Sequence, residues 1–71
     1  MAMSIKAARV NANLTQDYVC EELKKRGYTT AVSTLVSWER NRTFPTVQVF
    51  KTLCEIYGCT MDDISVPEKL T

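Results

Sequence analysis

The chain reads as an all-α protein of five short helices. Apolar residues recur at helical spacing in successive segments, most segments follow a Ser or Thr suited to capping, and each is closed by Gly, Asn or Pro. Nowhere do apolar and polar residues alternate as they would in a half-buried strand, and there is no internal repeat or low-complexity run. Seventy-one residues are expected to make one domain spanning 1–71, near the lower size at which a core is stable without staples.

The first helix starts after Ser4, a good N-cap, and runs to about Val10 with Ile5 and Ala8 inward and Lys6 outward. Arg9 lies at the edge of the inward face, either solvated or facing a buried acid. Asn13 suits the left-handed position that ends a helix, and Leu14 returns to the core. Thr15 caps the second helix, with Asp17 in the first turn where the helix dipole favours an anion. Val19, Cys20 and Leu23 form its inward stripe; Glu21 and Glu22 precede Lys25 and Arg26 by four residues, an arrangement that supports an exposed face. Gly27 stops it.

Tyr28, Thr29 and Thr30 connect to the third helix, with either threonine as its cap and Ala31, Val32 and Ser33 in its first turn. Leu35 and Trp38 point inward, and Asn41 closes the helix. Glu39, four residues after Leu35, falls on the same face, where a carboxylate is costly unless a cation meets it. After the loop Arg42–Pro45, Thr46 caps a fourth helix with Val47, Phe50, Leu53, Cys54 and Tyr57 on one side, ended by Gly58. Thr60 and Asp63 make a capping-box pattern for a last short helix that buries Ile64 and stops at Pro67, leaving a tail that includes Leu70.

Hydrophobic residues at 45% and charged residues at 24% are ordinary for a globular chain, and no apolar run approaches a bilayer span or a signal peptide, so the expected location is the cytoplasm, away from membranes. The net charge of +1 gives no support for a nucleic-acid partner by itself; the distribution does, because Lys24, Lys25 and Arg26 are consecutive and Arg40 and Arg42 flank Asn41. Three cysteines, Cys20, Cys54 and Cys59, come without a CxxC pair or any histidine, which argues against zinc. Cys20 and Cys54 read as small buried hydrophobes in a reducing compartment, with a disulfide or redox switch as the alternative. No nucleophile sits with a base, and no paired carboxylates or glycine-rich phosphate loop appear; neither an enzyme nor a cofactor is expected.

From Ile5 to Ile64 the residues resemble the Cro/C1-type, XRE-like helix-turn-helix family, whose fold is that of the lambda-repressor-like DNA-binding domains. The resemblance is carried by Arg9, by Leu14-Thr15-Gln16 opening the second helix, and by Cys20 where the family usually has alanine. It continues with Trp38-Glu39-Arg40-Asn41, Pro45, Leu53-Cys54, Tyr57-Gly58 and Thr60-Met61-Asp62-Asp63-Ile64. It implies that Arg9 pairs with Glu39, tying the first helix to the third. There are two departures: the stretch from Gln16 to Glu39 is several residues longer than usual in the family, and Asn41 stands in place of the usual glycine.

Carried over from the Glu39 anchor, the resemblance puts Ala31, Val32, Ser33 and Ser37 toward the major groove, with Val32 as part of the core the competing reading. Short hydroxyls hydrogen-bond to several bases and small apolar groups touch thymine methyls, which discriminates less than Arg on guanine or Gln on adenine. Gln16, Arg40, Asn41, Arg42 and Thr43 are the implied phosphate contacts, and Lys24, Lys25 and Arg26 a possible addition from the longer segment. The expected function is a sequence-specific transcriptional regulator, a repressor of phage or mobile-element type. It binds double-stranded DNA as a homodimer on a palindromic operator, dimerising through Ile64, Val66, Leu70 or exposed parts of the last two helices. The alternative is a helical protein-interaction module, antitoxin-like or an accessory subunit, using the same fold without reading DNA.

Overall fold

Among the described residues, three of the four α-helices begin at a hydroxyl that accepts a hydrogen bond from the backbone N–H three residues on, the contact that satisfies a donor the helix itself leaves free. In the computed structural model, which describes residues 2–65, α1 (Ile5–Asn11) starts at Ser4, α2 (Gln16–Lys25) at Thr15 and α4 (Val47–Tyr57) at Thr46, with N···O distances of 3.0, 3.1 and 3.4 Å. The exception is α3 (Val32–Glu39), whose N-cap is Ala31 rather than either threonine. The Thr30 hydroxyl donates instead to the Tyr28 carbonyl at 3.1 Å, so it holds the connection and not the helix.

All four helices end in the same way. At Asn13, Gly27, Asn41 and Gly58 the backbone turns left-handed, with φ of 59°, 91°, 59° and 74°. The residue after each then donates to the carbonyl five residues back: Leu14 to Arg9 at 3.2 Å, Tyr28 to Leu23 at 2.9 Å, Arg42 to Ser37 at 3.0 Å and Cys59 to Cys54 at 3.0 Å. The left-handed residue itself bonds to the carbonyl three back, which completes the Schellman closure at every end. Asparagine tolerates that conformation through its short polar side chain, and glycine through having none.

The expected fifth helix is a single 3-10 turn, Met61–Asp63. Its capping box is present, with the Asp63 carboxylate accepting from the Thr60 backbone N–H at 2.9 Å. Ile64 leaves the helical conformation, at φ −110° and ψ 129°, to form a parallel bridge with Met3. Asp63 O accepts from Met3 N–H at 2.7 Å and Ser65 N–H donates to Met3 O at 2.7 Å, so pairing with the start of the chain takes the backbone groups that another helical turn would have used. Pro67, Val66 and Leu70 lie outside the described residues.

The core draws Ile5 and Ala8 from α1, Val19 and Leu23 from α2, Leu35 and Trp38 from α3, Phe50, Leu53, Cys54 and Tyr57 from α4, and Ile64. Ile64 is only 4% exposed and is therefore core, not the dimer contact expected of it. Val47 is 71% exposed: at the first position of α4 it projects past the core that Phe50, one turn on, fills. Cys20 packs against the core from its edge rather than within it. Helix α2 packs on both α3 and α4, and α1 on α3. The first turn of α3 is left free of these contacts, with Ala31, Val32, Ser33 and Thr34 all exposed.

Candidate nucleic-acid interface

The helix pair α2–α3 is held at its base by one charged network. Arg9 Nε donates to Glu39 Oε2 at 2.6 Å and Nη2 to Oε1 at 3.2 Å, a bidentate fork from the end of α1 to the end of α3. The side chains are 12% and 3% exposed, so both charges are largely out of water and hold each other there. The hydrogen bond to Glu39 raises the Arg9 pKa above its ordinary value, against the lowering effect of burial. Arg9 Nη1 also donates to the Leu14 carbonyl at 2.8 Å, which fixes the guanidinium across the turn that closes α1.

Gln16 completes the network, its Nε2 donating to Glu39 Oε1 at 3.1 Å. This internal role is one that local pattern does not assign to it. Its amide nitrogen carries two N–H groups, one of which goes to Glu39, leaving the second for a partner outside. The start of α2, the end of α1 and the end of α3 are thus fixed to one another through a single carboxylate.

On α3 the residues expected at base edges fall in two groups. Ala31, Val32 and Ser33 lie at its exposed start, and Val32, at 37% exposure, is outside the buried core. Ala31 is the N-cap rather than part of the first turn. Ser37 is half-buried, with its hydroxyl 2.9 Å from that of Thr43 in the exit loop. Thr34, missed in the sequence because it adjoins the core residue Leu35, is exposed on the same first turn. Its signal was the short helix itself: with α3 beginning only at Val32, one turn precedes the first buried side chain.

The phosphate-type residues lie at both ends of this pair. Arg40, Asn41, Arg42 and Thr43 are exposed in the closure of α3 and the loop after it. Of the basic cluster at the end of α2, Lys25 and Arg26 pair with Glu22 at 3.1 and 2.9 Å. The Glu22 carboxylate answers both cations, not Glu21 and Glu22 one each, and its pKa is lowered by the Arg26 and then the Lys25 hydrogen bond. Lys24 is exposed and makes no ion pair among the described residues. Between Gln16 and Glu39, α2 continues to Lys25 and an irregular connection spans 26–31.

Among the described residues no helix is long and apolar enough to cross a membrane. No curated protein and no solved structure matches the chain. A helix-turn-helix family model matches residues 5–64, from the first residue of α1 to the bridge residue Ile64. With that match over most of its length, the chain belongs to the Cro/C1-type helix-turn-helix family of DNA-binding regulators.

Proposed function

We propose that this regulator is a repressor of phage or mobile-element type that reads a palindromic operator with the first turn of α3. The observation that carries the reading is the exposed start of α3, which has no side-chain cap hydrogen bond, on a helix held against α2 by the Arg9–Glu39–Gln16 network. Such a turn presents short side chains to base edges without any rearrangement of the core. Ser33 and Thr34 offer hydroxyls, Ala31 and Val32 offer contacts to thymine methyls, and Ser37, tied to Thr43, links the helix to the exit loop. The remaining N–H of Gln16, with Arg40, Asn41, Arg42 and Thr43, supplies the phosphate contacts on either side. Lys24 adds a contact from the end of α2; Lys25 and Arg26 join it at the expense of their pairing with Glu22.

So few short contacts call for two half-sites, about 34 Å apart, and hence for two copies of the chain on DNA. Residues 1–71 act in this reading as a single domain in the cytoplasm. Exposed parts of α4 and the 3-10 turn, including Val47 and Met61, supply the contact between copies. A second reading, a protein-interaction module, rests on one observation: the exposed turn carries neither Arg nor Gln, the side chains that discriminate bases best.

Anisotropy of labelled DNA from upstream of the protein's own gene, beside a scrambled duplex at two salt concentrations, separates the two. Preferential binding that weakens with salt supports the repressor reading. Absence of binding to either duplex at low salt moves the assignment to the interaction module. Sedimentation of the chain with operator tests the dimer, and a monomer at every concentration would remove it.

A further inference from the structure

The closure that ends each helix brings together the side chains of a last-turn residue and the residue just past the left-handed position, a pair that is commonly apolar. At the end of α2 the pair is Leu23 and Tyr28. At the end of α4 it is Cys54 and Cys59. The 3.0 Å bond from Cys59 N–H to the Cys54 carbonyl holds the two Cα atoms, by backbone dimensions, within about 7 Å, the outer limit for bridging by a disulfide. Both thiols are free. An open recess of about 420 Å³, lined by Cys54 and Cys59 with Lys51, Glu55, Thr60 and Met61, gives a small solute access to them.

We propose that Cys54 and Cys59 form a peroxide-responsive dithiol site, oxidised to an intrachain disulfide that fastens the end of α4 to the segment leading into the 3-10 turn. Cys59, the more exposed, reacts first. Its sulfur, as the thiolate, attacks one oxygen of the peroxide, the O–O bond breaks, and the departing hydroxide takes a proton to leave as water, so that Cys59 becomes a sulfenic acid. Cys54 then gives up its proton and attacks the Cys59 sulfur, displacing the second oxygen as water. Two thiols are oxidised, one peroxide is reduced, and two waters are formed. Cys54 is the resolving and not the initiating thiol because burial, then Cys59, Asp63 and Glu55, push its pKa up to about 12. Cys20, on α2, has no such neighbour in this closure.

The test is oxidation of the folded full chain with a modest excess of hydrogen peroxide at low protein concentration, followed by intact mass and peptide mapping without reductant. The expected product has lost two hydrogen atoms, carries a Cys54–Cys59 link within one chain, and returns to the starting mass with a dithiol reductant. Cys20→Ser keeps this product and Cys59→Ser abolishes it, leaving oxygen adducts. In urea the unfolded chain should lose the selectivity for this pair. Stable oxygen adducts on the folded wild-type chain, a link through Cys20, links only between chains, or the same product distribution in urea would each overturn the proposal. The wild-type map decides the matter even if Cys59→Ser fails to fold.

Discussion

Replacing Glu39 by glutamine tests the network on which the helix pair rests. The substitution keeps the shape of the side chain and removes its charge. Glu39 accepts three hydrogen bonds, from Arg9 Nε to Oε2 and from Arg9 Nη2 and Gln16 Nε2 to Oε1. If the new amide oxygen takes the Oε1 position, two of these are kept and an NH₂ group is set against Arg9 Nε, where the acceptor had been 2.6 Å away. Turning the amide over loses the other two instead. In either orientation a guanidinium only 12% exposed is left without its counter-charge. Breaking a buried pair in this way costs about 3–5 kcal/mol. The value here belongs at about 3 kcal/mol, because Arg9 retains the Leu14 carbonyl at 2.8 Å and some contact with water.

For a domain of this size that loss lowers Tm by about 12–24 °C. Total stability on this scale is about 4–11 kcal/mol, so the variant should still fold at low temperature. Trp38, the only tryptophan and 8% exposed, reports the transition by fluorescence during urea unfolding. Combining Glu39→Gln with Arg9→Met removes the stranded cation, so the double variant should lose less than the two single losses added together. A loss for Glu39→Gln below about 0.5 kcal/mol, the scale of an ordinary surface substitution, would refute the reasoning.

Other expectations follow from the same geometry. Arg42→Ala should weaken operator and random DNA alike and reduce the slope of log affinity against log salt by about one; a loss confined to one sequence, measured by anisotropy, would contradict a phosphate role. Gly58→Ala places a side chain at φ 74° and should cost about 1–2 kcal/mol in urea unfolding, while Asn41→Gly at φ 59° should leave stability nearly unchanged. Tyr57→Phe should be neutral or slightly stabilising, because the buried hydroxyl has no hydrogen-bond partner among the described residues; a large loss would reveal a partner. Asp63 and Glu22 have pKa values lowered from 3.8 and 4.5 by the Thr60 cap and by Arg26 with Lys25. Their contributions are therefore full above those ordinary values and lost as pH falls through the lower folded ones. A Tm profile against pH should drop on that acid side, and Asp63→Asn should flatten part of the drop.

Helix caps and closures were legible residue by residue because they are local chemistry: Ser4, Thr15, Thr46 and Thr60 at starts, and Asn13, Gly27, Asn41 and Gly58 at ends, act within a few residues of themselves. The inward stripes of α1 and α3 were legible for the same reason, since helical period fixes which side chains share a face. Glu39 announced that it needed a cation, and the family resemblance named Arg9, but periodicity alone left Arg9 equally suited to water. Tertiary structure settled what local pattern cannot rank. It made Ala31 the cap of α3 by drawing Thr30 back to Tyr28, and ended the last helix after one turn because Ile64 pairs with Met3, sixty-one positions away. It also put Gln16 on Glu39 and opened Val32 and Val47 to solvent. Those outcomes depend on which elements compete for the same backbone group or the same core volume, and that competition exists only once the helices have packed.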